Sequence, residues 1–420
     1  MLRLAPRVLL LVNSNPAGSG VGELFLREIG LAYPAGRLVR YSAVQRRELA
    51  GEATWLGFRS ITRYVATARW PGLSSLREWL FAVATEDRMV EEIVALVADE
   101  KIDLVWAVLS NGPIIRVAER IARSRVVPMV STVLDDPEYF GRNQMLDPLT
   151  RRYMMAQFSA VLGRTVRISV ISESMRDYYQ NRYGVQSIIM RHGIDERLYI
   201  DWNSNRLSRG IIKIGFAGSL YAKNEWNALL RAIDSKDGRI AGKEVRVYFI
   251  GRFPRIGAKI SACVERLGPM SFESTLRTLG TMSMAYLPYW FDARNAMAAR
   301  TSFPGKLSAY AASGLPVLYH GPRDSSAARF LGLYPFGVCC HSLDEPAIYE
   351  AIVRIVGDTG FSRCAGEARA QALDQELSRS VMLGRFCELV DCDTGELGPT
   401  VHSVPSAGAR SESMPRPRGK

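Results

Sequence analysis

The sequence predicts an α/β protein made of two domains, each with a parallel sheet covered on both faces by helices. Three observations predict it. Short continuous apolar runs alternate with helical patterns from residue 7 to 171, a polar stretch interrupts them at 201–210, and a second α/β series begins at Ile211. A continuous apolar run reads as a strand buried on both faces, which a parallel sheet between helix layers requires. A length of 420 residues also exceeds one ordinary core. Two units of roughly 150–200 residues are therefore expected.

In the first series, Arg7 to Val12 is a strand and Gly22 to Gly30 a helix with Leu24, Phe25 and Ile29 on its apolar side. Met89 to Ala98 repeats apolar residues at helical spacing (Val90, Ile93, Val94, Val97). Ile102 to Val108 is a strand, Ile114 to Ala122 a helix, and Val126 to Val133 and Val166 to Ile171 are strands. In the second series, strands at Ile211–Phe216, Val245–Ile250, Met284–Leu287 and Pro316–Tyr319 alternate with helices at Asn227–Ile233 and Leu307–Ala312. Two such units place the carboxyl ends of their sheets around a shared cleft, where ligands of these folds bind.

Composition bounds the function. Hydrophobic residues make up 47% and charged residues 23%, an ordinary globular balance, with a net charge of +12. A basic surface favours polyanions, whether nucleic acid, anionic lipid or diphosphate substrates. The apolar run Val8–Val12 is shorter than the about 7–15 residues of a secretory core. No stretch approaches the roughly 18 apolar residues of a membrane span. A cytoplasmic protein, peripheral at the inner face of the membrane, is the expectation. The six cysteines have no C-x-x-C spacing, and Asp391-x-Asp393 borders the tail, so no metal site is expected.

The most specific segment is Ser302-Phe303-Pro304-Gly305-Lys306-Leu307, running through a helix to Gly314 and the strand at Pro316. Pro304 suits a first helical turn and Gly314 a helix stop. Free N–H groups there, together with Lys306, make an anion pocket suited to a diphosphate. Asp135 and Asp136 follow a predicted strand at its carboxyl end, so they face the cleft and are candidates to orient an acceptor hydroxyl or take its proton. A helix N-cap before Pro137 is the competing reading. Gly18, Gly20 and Gly22 form a glycine-rich turn with two readings, a ligand loop or a plain left-handed turn. As a dinucleotide fingerprint it fails, because Leu38, Val39 and Arg40 offer no acid for a ribose.

The segment 302–317 resembles the P-x-K-L-x-E-Y-x-A-x-G-x-P-V signature of retaining GT-B glycosyltransferases of the family-4-like group. Three further blocks fall in the same order. Pro16–Glu23 resembles the family's first glycine-rich turn. Ile171–Ser174 with Tyr183-Gly184-Val185 and Arg191-His192-Gly193-Ile194-Asp195 is similar to its interdomain passage. Ile214–Leu220 with Lys223-Asn224 is similar to its strand and loop. The resemblance implies a GT-B fold of two Rossmann-like domains, with the acceptor side at 1–200, a linker at 201–210 and the donor side at 211–375. A C-terminal helix at 376–394 then packs back toward the first domain, and 395–420 is a disordered tail.

The resemblance further implies transfer of a sugar from a nucleotide-sugar donor to a polysaccharide or glycolipid acceptor, with retention and without a metal or other cofactor. Lys223 and Lys306 would hold the diphosphate, with Gly218, Ser219, Pro304 and Gly305 around it, and His192 would border it where the family usually has Asn. The chain departs from the pattern where family carboxylates fall at Ala309 and Thr301, where an arginine falls at Ser219, and where Leu134 replaces a histidine. These departures keep a second reading open, a non-catalytic binding subunit of a polysaccharide assembly complex. A Rossmann-type oxidoreductase or epimerase is the third.

Residues 37–81 hold eight arginines, no lysine and three glutamates among Trp55, Phe58, Tyr64, Trp70, Trp79 and Phe81. Arginine among aromatics suits an anionic membrane surface. A packed helical insertion is the alternative, and nucleic acid is the weaker partner.

Overall fold

The computed structural model describes residues 5–13, 21–44, 60–64, 70–202, 210–254 and 262–397. Two parallel sheets organise it. The first contains β1 (Val8–Val12), β2 (Leu38–Val44), β3 (Ser60–Tyr64), β4 (Leu104–Val108), β5 (Met129–Val133), β6 (Arg167–Val170) and β7 (Ser187–Ile189), in the order β3-β2-β1-β4-β5-β6-β7. The second contains β8 (Ile211–Ala217), β9 (Arg239–Ile240), β10 (Lys243–Ile250), β11 (Val264–Gly268), β12 (Met284–Pro288), β13 (Val317–His320) and β14 (Gly337–Cys340). Its order is β11-β10-β8-β12-β13-β14, with the short β9 antiparallel to β10. Both sheets share the 3-2-1-4-5-6 order of a doubly wound fold, which reverses beside β1 and beside β8 and opens a crevice at each point.

The strands are buried because helices cover both faces. Every residue of β1, β4, β5 and β12 is buried. One face of the first sheet packs under the helices Asp87–Asp99, Gly112–Ser124 and Pro148–Leu162. The other face packs under Val21–Ala32 and the last helix, Arg379–Val390. Phe386 of that last helix lies 4.6 Å from Trp106 and 5.8 Å from Tyr33, so the C-terminus is built into the N-terminal half.

The chain crosses between the halves twice, and the crossings are hydrogen-bonded to each other. The Ile194 N–H donates to Leu377 O at 2.8 Å, and the Arg379 N–H to Ile194 O at 2.9 Å. A side chain at Gly193 would lie 2.2 Å from the Ser378 carbonyl oxygen, so only glycine permits this approach. Arg191 fixes the junction. Its buried guanidinium pairs with Glu173 at 2.6 Å and with Glu376, and it lies over the rings of Phe303 (4.8 Å) and Phe330 (5.0 Å). One cation thus ties together the first half, the second half and the returning C-terminal segment.

Several boundaries differ from the sequence reading. Residues 203–209 of the linker and 398–420 of the tail lie outside the described residues. Residues 395–397 belong to the body, because Thr394–Glu396 forms a 3-10 turn, Glu396 accepts from the Ala5 N–H, and Leu397 packs against the first-sheet cluster. The basic, aromatic stretch 37–81 is not a helical insertion as a whole, since it supplies strands β2 and β3 before the helix Leu73–Phe81. Trp55 and Phe58 lie outside the described residues. No helix among the described residues is long and apolar enough to cross a membrane.

Candidate active site

The site forms where the carboxyl ends of β5 and β6 meet the loops after β8, β12 and the helix Ala296–Thr301. Ser302 joins the two halves. Its hydroxyl donates to Asp135 Oδ1 at 2.7 Å, and its carbonyl accepts from the Tyr289 hydroxyl at 2.7 Å and from Ser326. Ser172, at the end of β6, donates to the Thr301 carbonyl at 2.5 Å. Two groups of the first half therefore grip the loop that leads to Lys306.

The two aspartates diverge. Asp135 stays exposed to solvent while protein crowds round its carboxyl. That enclosure pushes its carboxyl above the usual range, the Ser302 hydrogen bond opposes the shift, and the neighbouring Asp136 adds to it. Asp136 turns inward. It caps the helix Pro137–Asn143 by accepting from the Glu138 N–H at 3.0 Å, and the Tyr179 hydroxyl lies 3.5 Å from it. The competing N-cap reading thus describes Asp136, and only Asp135 lies open to the cleft.

Lys306 opens the helix Lys306–Ala312, whose start no side chain caps. Its ammonium lies 4.5 Å from the centre of the Tyr221 ring and 5.5 Å from that of Phe216. Its side chain runs past Gly218, whose φ of 91° favours glycine. Burial draws the Lys306 pKa down to about 8, and no carboxylate among the described residues pairs with it. A cation enclosed by aromatic rings without a counter-ion is a place for an anionic ligand. Pro304 is buried, Gly305 half-buried, and Ser219 exposed beside Gly218. Lys223 stands exposed at the first position of the helix Lys223–Asp234, and nothing brings it against Lys306.

His192 is buried, and burial followed by the charge of Arg27 lowers its pKa to about 4, so it is neutral at pH 7. Its ring faces Phe272 of the second half at 6.4 Å. Gly22 lies in the first turn of the helix Val21–Ala32, against Leu134, next to Asp135. Gly18 and Gly20 lie outside the described residues. The two positions without the family carboxylates are closed. Ala309 packs with Ile194, Leu276 and Ala312, and the Thr301 hydroxyl donates to Met297 O at 2.8 Å.

An aromatic cluster that sequence reasoning missed joins the two rims. Tyr221 lies 4.6 Å from Trp290 and 6.0 Å from Tyr289, and Tyr139 of the first half lies 5.9 Å from Trp290. Glu225 holds the Trp290 loop by accepting from the Phe291 N–H at 2.9 Å. The available signal was Tyr289-Trp290-Phe291, an aromatic triplet directly after a strand.

Comparison with solved structures decides the architecture. Sucrose-phosphate synthase from Thermosynechococcus elongatus superposes with a TM-score of 0.67 at 13% identity, covering 92% of this chain and 98% of that one. HepE from Anabaena, solved with UDP, gives 0.64 at 14% identity, covering 92% and 99%. WaaG, a glycosyltransferase of lipopolysaccharide biosynthesis, gives 0.58 at 13% identity, covering 91% and 99%. The fold is GT-B. No protein-family profile matches the sequence, and no curated protein matches it. Within the GT-B frame, Lys306 and Gly218 lie on the rim of the second domain and Asp135 on that of the first, across the interdomain cleft.

Proposed function

We propose that this GT-B protein is a glycosyltransferase that moves a sugar from a nucleotide-sugar donor to a polysaccharide or glycolipid acceptor. The observation that supports it most is Lys306, an enclosed ammonium with no counter-ion among the described residues, beside a glycine turn at the end of β8. A donor diphosphate supplies the missing negative charge, and the same ammonium offsets the charge that grows on the departing nucleotide. In this reading Lys223 and the Gly218-Ser219 and Pro304-Gly305 backbones complete the donor side, and His192 borders it as a neutral imidazole. Asp135 meets the acceptor hydroxyl from the opposite rim. Leaving-group departure on the face that the acceptor attacks gives retention and requires no metal ion. Calorimetric titration with UDP and a panel of nucleotide-sugars, followed by anomer analysis of the product, tests the proposal. Absence of binding to every diphosphate would sink it.

A second reading rests on Thr301 and Ala309, closed positions where the family has carboxylates. Donor binding without turnover, with every donor and a broad acceptor set, would make the chain a binding subunit of a polysaccharide assembly complex.

The proposal extends to a cytoplasmic protein, peripheral at an anionic membrane. Trp70 (69% exposed), Leu76 (55%) and Leu80 (59%) stand out from the 70–81 segment with the exposed Arg77. Trp79 continues this face to the helix Pro148–Leu162 through Tyr153 at 5.0 Å. Such a face suits the boundary between headgroups and acyl chains. Flotation with anionic vesicles is expected for the intact chain and lost in a Leu76→Ser, Leu80→Ser double variant. Equal flotation of both would remove this part of the reading.

A further inference from the structure

The last helix, Arg379–Val390, stops at Asp391, which adopts a left-handed conformation (φ 63°), while the Cys392 N–H donates to the Cys387 carbonyl at 3.1 Å. A stop of this kind folds the residue beyond the turn back over the final helical turn. Here it brings two thiols together, with Cys392 Sγ 3.0 Å from Cys387 Sγ. Cys387 is buried and Cys392 half-buried. Cys392 packs against the apolar cluster of Met382, Phe386 and Leu389 that fastens the helix under the first sheet. The sulfurs need to approach by only about 1 Å to reach bonding distance. Nothing in the cleft uses them.

We propose that Cys387 and Cys392 are a reversible dithiol–disulfide site, independent of the sugar-transfer reading. The oxidant is a low-molecular-weight disulfide. Cys387 accepts the hydrogen bond between the two thiols and is the more acidic sulfur, but only Cys392 is reachable. Once Cys392 has lost its proton, it attacks one sulfur of that disulfide and expels the first small thiolate, leaving a mixed disulfide on Cys392. Cys387 then attacks the Cys392 sulfur, forms the intramolecular bond and expels the second small thiolate. The protons from the two cysteines end on the two released thiols, so two cysteine thiols are oxidised as one small disulfide is reduced. The bond staples the helix stop to the cluster beneath the first sheet.

The full-length protein, equilibrated in glutathione buffers of increasing oxidised fraction, acid-quenched, alkylated and digested, gives the test by peptide mass. The peptide containing both residues is expected to lose both alkyl groups together and to weigh about 2 Da less than its dithiol form, without bound glutathione. A Cys387→Ser variant is expected to stop one step earlier, with a single glutathione on Cys392. Alkylation of both thiols at every ratio, or a wild-type peptide that stops at the glutathione adduct, overturns the proposal. The wild-type masses decide this even if the variant does not fold.

Discussion

The two halves of the cleft share a strand order and differ in charge. The first-domain rim offers Asp135, a carboxylate raised by enclosure. The second-domain rim offers Lys306, an ammonium lowered by enclosure. Neither is the other's ion-pair partner. The shared topology fixes where the loops after each strand point, and the residues on those loops decide what each rim can hold. Between the rims, Ser302 and Arg191 decide whether the two halves face one another at all.

The largest effect is expected at the junction. Arg191→Met leaves Glu173 and Glu376 without their cation and removes the contacts to Phe303 and Phe330. Breaking a buried pair from one side costs about 3–5 kcal/mol. A denaturant midpoint equal to that of the wild type would show that the crossing is not held this way.

Next comes the rim of the second domain. Lys306→Ala is expected to lower turnover by about 10²–10³, on the scale of losing one charge-stabilising donor, with an unchanged fold by circular dichroism. The pH dependence sharpens this. Lys306 carries its proton below about pH 8 and loses it above, so diphosphate affinity is expected to be flat below that value and to fall as pH rises through it. Stability runs the other way. Between the folded pKa of about 8 and the ordinary lysine value the unfolded chain binds the extra proton, so this group's contribution to stability rises with pH across that window. An affinity that rises above pH 8 would contradict the assignment.

On the rim of the first domain, Asp135→Asn keeps an oxygen to accept from Ser302 and removes a charge. Transfer is expected to be lost while stability at neutral pH rises only slightly, because solvent reaches this carboxylate and screens most of the effect. The sign follows from the raised pKa. A carboxyl raised by folding favours the folded state only at low pH, and that contribution is lost as pH rises through its folded value. A thermal melt of both forms at neutral pH reads it directly.

Much of this frame was legible in sequence because it rests on local rules. Continuous apolar runs gave the strands, and the proline, lysine and glycine of 302–317 gave the helix with its start and stop. What depends on direction or on distant partners was not legible. Asp135 and Asp136 have nearly the same local context, and only the exit of the chain from β5 turns one to the cleft and the other to the helix Pro137–Asn143. Arg191 stands in a recognisable block, but its partners Glu376 and Phe330 lie far along the chain. The Tyr139–Trp290 contact spans the two domains, so no window of sequence contains it.

The smallest effect expected lies at the link between the rims. Ser302→Ala removes a hydrogen bond that favours the ionised form of Asp135, while the enclosure and the neighbouring Asp136 that oppose ionisation remain. The Asp135 pKa therefore moves further up. If Asp135 must be ionised to accept the acceptor proton, the acid limb of the pH–rate profile moves to higher pH and the alkaline limb, set by Lys306, stays in place. A purely structural serine would lower the rate at every pH and leave both limbs where they were. The same profile therefore tells a group that tunes the acceptor carboxylate from one that only fastens the loop.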